Sequence, residues 1–244
     1  MKDILKDIVA HTHDTGLLDM VKITGTEEKT VLNAMAENRS VIMEAETAAP
    51  HPDMIGVFGM SQMSKLKYNL ECPEYKEGAN ISIITAERNG ETVPTGLHFE
   101  NKAGDFKNDY RFMNTEIINE KMKTVKFRGV KWDVTVKPSV AALQRFHMQV
   151  GANSEHPSFL AKTDNGNLKF IFGDVSTHGG EFVFETGISG KLDRGWTWPV
   201  LAIASIFKAA AGKELELSIS NEGALQITID SGMANYKYII PANT

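Results

Sequence analysis

The histidines come first, because imidazole is the side chain best able to bind a metal or carry a proton near neutral pH. His11 and His13 stand two apart at the end of an amphipathic N-terminal stretch and could supply two metal ligands. No cysteine or carboxylate completes a set at a familiar spacing. The pair therefore reads as solvated, and a metal-dependent hydrolase resting on it is the weakest of three functional readings. His147 falls on the apolar side of a predicted helix and reads as a hydrogen-bonded core residue. Cys72 is the single cysteine. It has no CxxC partner or activating base, and a lone cysteine excludes an internal disulfide and suits a reducing cytoplasm. The carboxylates are scattered over hairpins and give no acid/base couple. Phosphate-binding, nucleophile-elbow and dinucleotide motifs are absent. The chain is expected to be no enzyme, to use no cofactor and to hold no metal.

The remaining chemistry lies in the cations of four predicted helices. Lys2 and Lys6 lie opposite Ile4, Leu5, Ile8 and Val9. Lys65, with Lys67 at the edge, lies opposite Met63, Leu66 and Leu70. In SVAALQRFHMQV the spacing predicts Val140, Leu143, His147 and Val150 inward, with Ala142, Arg145 and Gln149 outward. In PVLAIASIFKAAAG it predicts Leu201, Ile203, Ile206 and Phe207 inward. The other face of that helix carries only small side chains and Lys208, with Lys213 just beyond, where a surface helix would carry several charges. One such face is a solvated surface. Four of them form a stripe if the strands make an outer layer, and phosphates meet a stripe of cations without regard to sequence. No aromatic residue is expected among the cations, so base stacking is not indicated.

Strands surround these helices. Alternation predicts Leu17–Ile23, Thr30–Ala36, Val41–Thr47, Asn80–Glu87, Thr92–Glu100 and Phe106–Met113 in the first half. Ser158–Lys162, Leu168–Val175, Glu181–Ser189 and the three strands of KELELSISNEGALQITIDSGMANYKYIIPANT follow in the second. Turns fall at Asn89-Gly90, Asn165-Gly166 and Asn221-Glu222-Gly223. Helix starts at Lys2 and Met60, then at Ser139 and Pro199, are almost equally spaced, with negligible identity between the halves. Two similar α+β domains are expected, 1–113 and 132–244. They are joined by a charged connector, 114–131, that lacks a good turn or helix signature.

Composition sets the bounds. With 244 residues, 42% hydrophobic and 23% charged, this is an ordinary globular chain. No apolar run approaches the roughly 18 residues of a membrane span, and aspartates interrupt the N-terminal apolar positions, unlike a signal peptide. The net charge of −5 argues against a broad basic surface. It leaves room for cations gathered on one face.

Three stretches, MSQMSKLKYNL, NDYRFMN and SGMANYKYIIPA, occur in order along the chain. With the strand–helix register they resemble the DNA sliding clamps, the ring-shaped processivity factors of replicative polymerases. The terminal stretch is similar to T-even-like bacteriophage clamps at Ala234-Asn235-Tyr236 and to proliferating-cell nuclear antigen at Lys237-Tyr238. The resemblance implies the DNA-clamp fold and a homotrimer that encircles double-stranded DNA. It implies DNA-facing residues at Lys2, Lys6, Lys65, Lys67, Arg145, Lys208 and Lys213. Subunits would join through the edge strands Lys107–Met113 and Glu181–Ser189, with Tyr110, Phe112, Phe182 and Phe184 at the joint. It implies a groove at Val125, Phe127, Ile239 and Pro241 that takes apolar tails of a DNA polymerase and of an ATP-dependent clamp loader. Ile239 stands where the cellular clamp has an aromatic residue. No membrane partner is implied, and the phage-like features point to a viral protein in a bacterial cytoplasm. The competing reading is a β-rich viral structural or ligand-binding protein without a DNA role, which leaves four similar helices unexplained.

Overall fold

The computed structural model describes all residues except 89, 124–126, 175, 177 and 244. Two compact units emerge. Unit 1 is Met1–Lys126 with Ser231–Tyr236, and unit 2 is Phe127–Asp230 with Lys237–Thr244.

Unit 1 contains α1 (Lys2–His11), β1 (Met20–Gly25), β2 (Thr30–Met35), β3 (Ile42–Thr47), β4 (Gly56–Ser61), α2 (Met63–Glu71), β5 (Asn80–Arg88), β6 (Glu91–Glu100), β7 (Lys107–Arg111) and α3 (Thr115–Lys121). Its strands lie in the orders β4-β1-β2-β3 and β5-β6-β7. Strict alternation buries Val21, Ile23, Leu32 and Ala34 on one face of the first group, as a half-buried sheet requires. Against this core α1 places Ile4, Leu5, Ile8 and Val9, and α2 places Met63, Leu66 and Leu70. The second helix starts later than expected. Met60 and Ser61 continue β4, and Gln62 turns the chain with a φ of 54°.

The segment after β7 is not plain connector. Asn114 accepts a hydrogen bond from the Ile117 amide at 2.9 Å and caps α3, a role asparagine fills well. Gly59 exchanges main-chain hydrogen bonds with Met113 at 2.9 and 2.7 Å, and the buried Ile118 lies on top of it. A Cβ at Gly59 would stand 2.7 Å from Ile118 Cδ1. Gly59→Ala is therefore expected to cost about 1–3 kcal/mol through overpacking, read from the urea midpoint. An unchanged midpoint would mean that α3 lifts from β4 at no cost.

Unit 2 contains β8 (Val134–Val136), α4 (Val140–Ala152), β9 (Ser158–Asp164), β10 (Asn167–Phe172), β11 (Gly180–Thr186), β12 (Trp196–Pro199), α5 (Val200–Ala209), β13 (Glu214–Ile219) and β14 (Ala224–Asp230). The final strand, β15 (Ala234–Pro241), begins in unit 1 and ends here. The orders are β11-β10-β9-β12 and β15-β14-β13-β8. Asn165 and Gly166 both take positive φ, 49° and 73°, the geometry of a tight two-residue hairpin. The units share a topology. The strand that feeds the second helix, β4 or β12, pairs antiparallel with the strand that follows the first helix of its own unit, β1 or β9.

Two helix faces differ from expectation. In α4 the buried residues are Ala142 and Phe146, while Val140 is 72% exposed and His147 is also exposed. Phe146 sets the phase, its ring meeting Phe159 at 5.3 Å and Phe207 at 5.1 Å. A phenylalanine in a closed aromatic cluster buries more apolar area than either a valine or a histidine could alone. In α5 Leu201 is 76% exposed, and Val200, Ala202, Ile203, Ile206 and Phe207 are buried instead.

Candidate functional site

The seven expected DNA-facing cations separate into two groups. Lys2 Nζ donates to the Tyr75 carbonyl. Burial, then the neighbouring Lys6 charge, hold its ammonium below the usual lysine range. Lys67 pairs with Asp14 at 2.8 Å and reaches Glu71 at 3.9 Å, and the Asp14 hydrogen bond holds it above the usual range. Lys213 Nζ donates to the Ala209 carbonyl at 3.3 Å, at the end of α5. These three are engaged within their own units. Lys6, Lys65, Arg145 and Lys208 are exposed, and none forms an ion pair among the described residues. They fall one to a helix, on α1, α2, α4 and α5. Helices α1 and α2 pack together, as do α4 and α5, and α4 and α5 contain no carboxylate. His147, beside Lys208, is held below the ordinary imidazole range, first by partial burial and then by that charge. The unit 2 helices thus present cations and neutral groups only, although the chain carries −5.

One aromatic residue does interleave. Tyr68 follows Lys65 by three positions, on the same side of α2, and is 72% exposed. The i, i+3 spacing that puts them together was visible in MSKLKYNL.

The histidine reading is corrected. His11 is fully buried, with Nδ1 2.8 Å from the Asp7 carbonyl and 3.3 Å from its carboxylate. Its ring stacks on Tyr236 at 4.1 Å. His13 is turned to Asp19 at 2.8 Å. Among the described residues no cluster of three or more His, Cys, Asp or Glu side chains could hold a metal. Likewise no helix is long and apolar enough to cross a membrane.

Of the expected partner groove, Val125 lies outside the described residues. Phe127 is half-buried and stacks near Trp132, with ring centroids 6.1 Å apart. Ile239 is 5% exposed, inside its unit, and Pro241 is exposed at the end of β15. In unit 1, Met122 and Lys123 cover the β1-β2-β3 strands at Asn33, Met35 and Ile42, leaving a hollow of about 40 Å³.

The expected subunit strands are both edges. Among the described residues β7 pairs only with β6, and β11 only with β10. Of the four named aromatics Tyr110 and Phe184 are buried and Phe112 and Phe182 half-buried, and Tyr110 and Phe112 also line a hollow beside α2. Tyr110 donates to the Ser61 carbonyl at 2.5 Å, and burial pushes its phenol well above the ordinary range. Phe112 stacks on Phe58 at 4.4 Å, and Phe184 on Phe170 at 4.3 Å. Phe182 meets Phe170 edge-on at 5.9 Å, under the Arg145 guanidinium at 5.8 Å. What these edges offer a neighbour is open main chain.

Neither the protein-family models nor the curated proteins contain a match to this chain. Solved structures do match. PCNA from Thermococcus kodakaraensis aligns with a TM-score of 0.71 at 12% identity, over 100% of this chain and 97% of that one. A. fulgidus PCNA, solved with the C-terminal region of FEN-1 bound, aligns with a TM-score of 0.70 at 13% identity, over 100% and 94%. The chain has the two-unit α+β fold of the PCNA sliding clamps along its whole length.

Proposed function

We propose that this protein is a DNA sliding clamp without enzymatic activity: three copies join edge to edge into a ring around duplex DNA. The observation that carries the reading is the placement of one exposed cation, in no ion pair among the described residues, on each of four helices, on a chain with the PCNA fold. A ring holds DNA by topology, so its contacts need only be weak and blind to sequence. Sparse cations suit this, since phosphate attraction is long-ranged and carries no base information. Acidic strands and loops discourage attachment elsewhere.

The clamp tethers a DNA polymerase for processive synthesis and is placed on DNA by an ATP-dependent loader. Both insert apolar tails beside the connector, near Phe127 and Pro241; A. fulgidus PCNA, of like fold, is bound by the C-terminal region of FEN-1. Ile239 acts there from beneath, as a core residue that shapes the surface. A viral origin and a bacterial cytoplasm rest on the phage-like stretches of sequence alone. A structural protein without a DNA role would leave the carboxylate-free faces of α4 and α5 without a purpose.

Light scattering in dilute solution tests the ring. The expected mass is three times the 26.9 kDa of one chain, and a single-chain mass at every concentration sinks the reading.

A further inference from the structure

Among the described residues the four most exposed large apolar side chains are Leu201, Tyr68, Val140 and Met148, between 70% and 76% exposed, and the next reaches only 44%. All four stand on α2, α4 and α5, the helices that carry Lys65, Arg145 and Lys208. They also share sides with those cations. Tyr68 follows Lys65 by three positions, and Met148 follows Arg145 by three. Leu201 precedes Lys208 by seven, two turns of helix, and Val140 precedes the exposed His147 by the same interval. His147 in turn lies beside Lys208. The one carboxylate of α2, Glu71, is answered by Lys67 at 3.9 Å, and α4 and α5 have none. These faces therefore set large uncharged surfaces among their cations, where more cations would fit.

Phosphate attraction accounts for the cations and leaves the apolar side chains without a role. A duplex offers a protein its phosphates, sugars and groove edges, while the flat faces of its bases are hidden in the stack. In a single strand those faces are free. An aromatic ring covers them while cations follow the backbone, and the match is tolerant of sequence because every base has a π-face. Large apolar side chains left in water mark interaction surfaces, and the cations around these ones select a polyanion.

We propose that these helix faces hold single-stranded DNA as well as duplex, with Tyr68 as the stacking platform. Its ring covers the face of an unpaired base, and Lys65, one turn back on α2, meets a phosphate beside it. In unit 2, Leu201 and Val140 offer apolar surface to bases and sugars next to Lys208 and His147. The inference rests on the DNA reading for its ligand and needs no closed ring. It reverses the expectation, drawn from the sequence, that bases are not touched. In a clamp the strand bound this way is the one that runs on beyond the end of the duplex.

The test uses the full-length chain and two fluorescein-labelled probes of equal length at low salt, an oligodeoxythymidine and its abasic counterpart. Both carry the same phosphates, and only the first has bases to stack. Fluorescence anisotropy is expected to show tighter binding of the oligodeoxythymidine. Tyr68→Ala, at a position this exposed, should leave the thermal melt unchanged and weaken that binding about tenfold, toward the abasic level. Tyr68→Phe keeps the ring and should keep the preference. Equal affinity of the wild-type chain for the two probes overturns the proposal, as does a preference that survives Tyr68→Ala. A wild-type chain without base preference whose assembly mass drops in Tyr68→Ala would assign the ring to a protein joint and also overturn it. In each of these cases binding of duplex DNA by the wild type leaves the DNA reading standing. A wild type that binds neither probe nor duplex removes that reading together with this one.

Discussion

Reversing Lys6, Lys65, Arg145 and Lys208 to glutamate together is expected to remove measurable binding of duplex DNA, with fold and assembly mass retained. Each cation that meets a phosphate releases counterions, and affinity then falls with about the −0.9 power of salt for each contact. Four such contacts, scaled from about 1 M down to 0.1 M salt, amount to roughly four thousandfold in affinity at the lower concentration. The slope of log affinity against log salt should flatten by about one for each cation that truly faces the duplex. Reversing the engaged cations Lys2, Lys67 and Lys213 instead should change the slope little and cost stability, because their ammoniums are tied to Tyr75, Asp14 and Ala209. If the first set leaves the slope unchanged, or the second set flattens it equally, the helix faces are not the DNA surface.

Much of this surface could be read from residue spacing, and the misreadings have physical causes. The apolar stripes of α1 and α2 are nearly pure, so their buried faces were legible. Helix α4 offers two overlapping stripes, one through Val140, Leu143, His147 and Val150 and one through Ala142 and Phe146. Only the position of Phe159 and Phe207 in space decides for the second. In α5 Ile203, Ile206 and Phe207 are buried as their spacing predicts, and Val200, three positions before Ile203, completes that stripe where Leu201 does not. The α3 helix rests on the Asn114 cap and the fit of Ile118 over Gly59, and the latter is tertiary. Ile239 likewise looked available in a terminal stretch, yet β15 carries it into the core. His11 is the plainest case. Its environment is built by Asp7 and Tyr236, and those two lie 229 residues apart in sequence.

That environment yields the second large effect. Asp7 has only 10% of its side chain exposed, and it accepts hydrogen bonds from Ser231 Oγ and Tyr236 OH, each at 2.8 Å. Burial alone would push its carboxyl pKa up. The hydrogen bonds of His11, Ser231 and Tyr236 outweigh burial and leave it below the ordinary aspartate value. A carboxyl that ionises more readily in the folded than in the unfolded chain stabilises the fold while ionised. The contribution is complete above the unfolded value of about 3.9 and is withdrawn as the pH falls through the lower folded value. Asp7→Asn keeps the shape and removes the charge, and it is expected to cost about 1–3 kcal/mol, as for hydrogen bonds to a charged group. In urea unfolding followed by circular dichroism the gap between wild type and variant should be constant from about pH 8 to pH 5 and should shrink below about pH 4. Amide protection should fall across Ser231–Tyr236, the segment that Asp7 ties to α1. A gap that is absent at neutral pH, or that widens in acid, would mean that the carboxylate does not hold the end of the chain to its beginning.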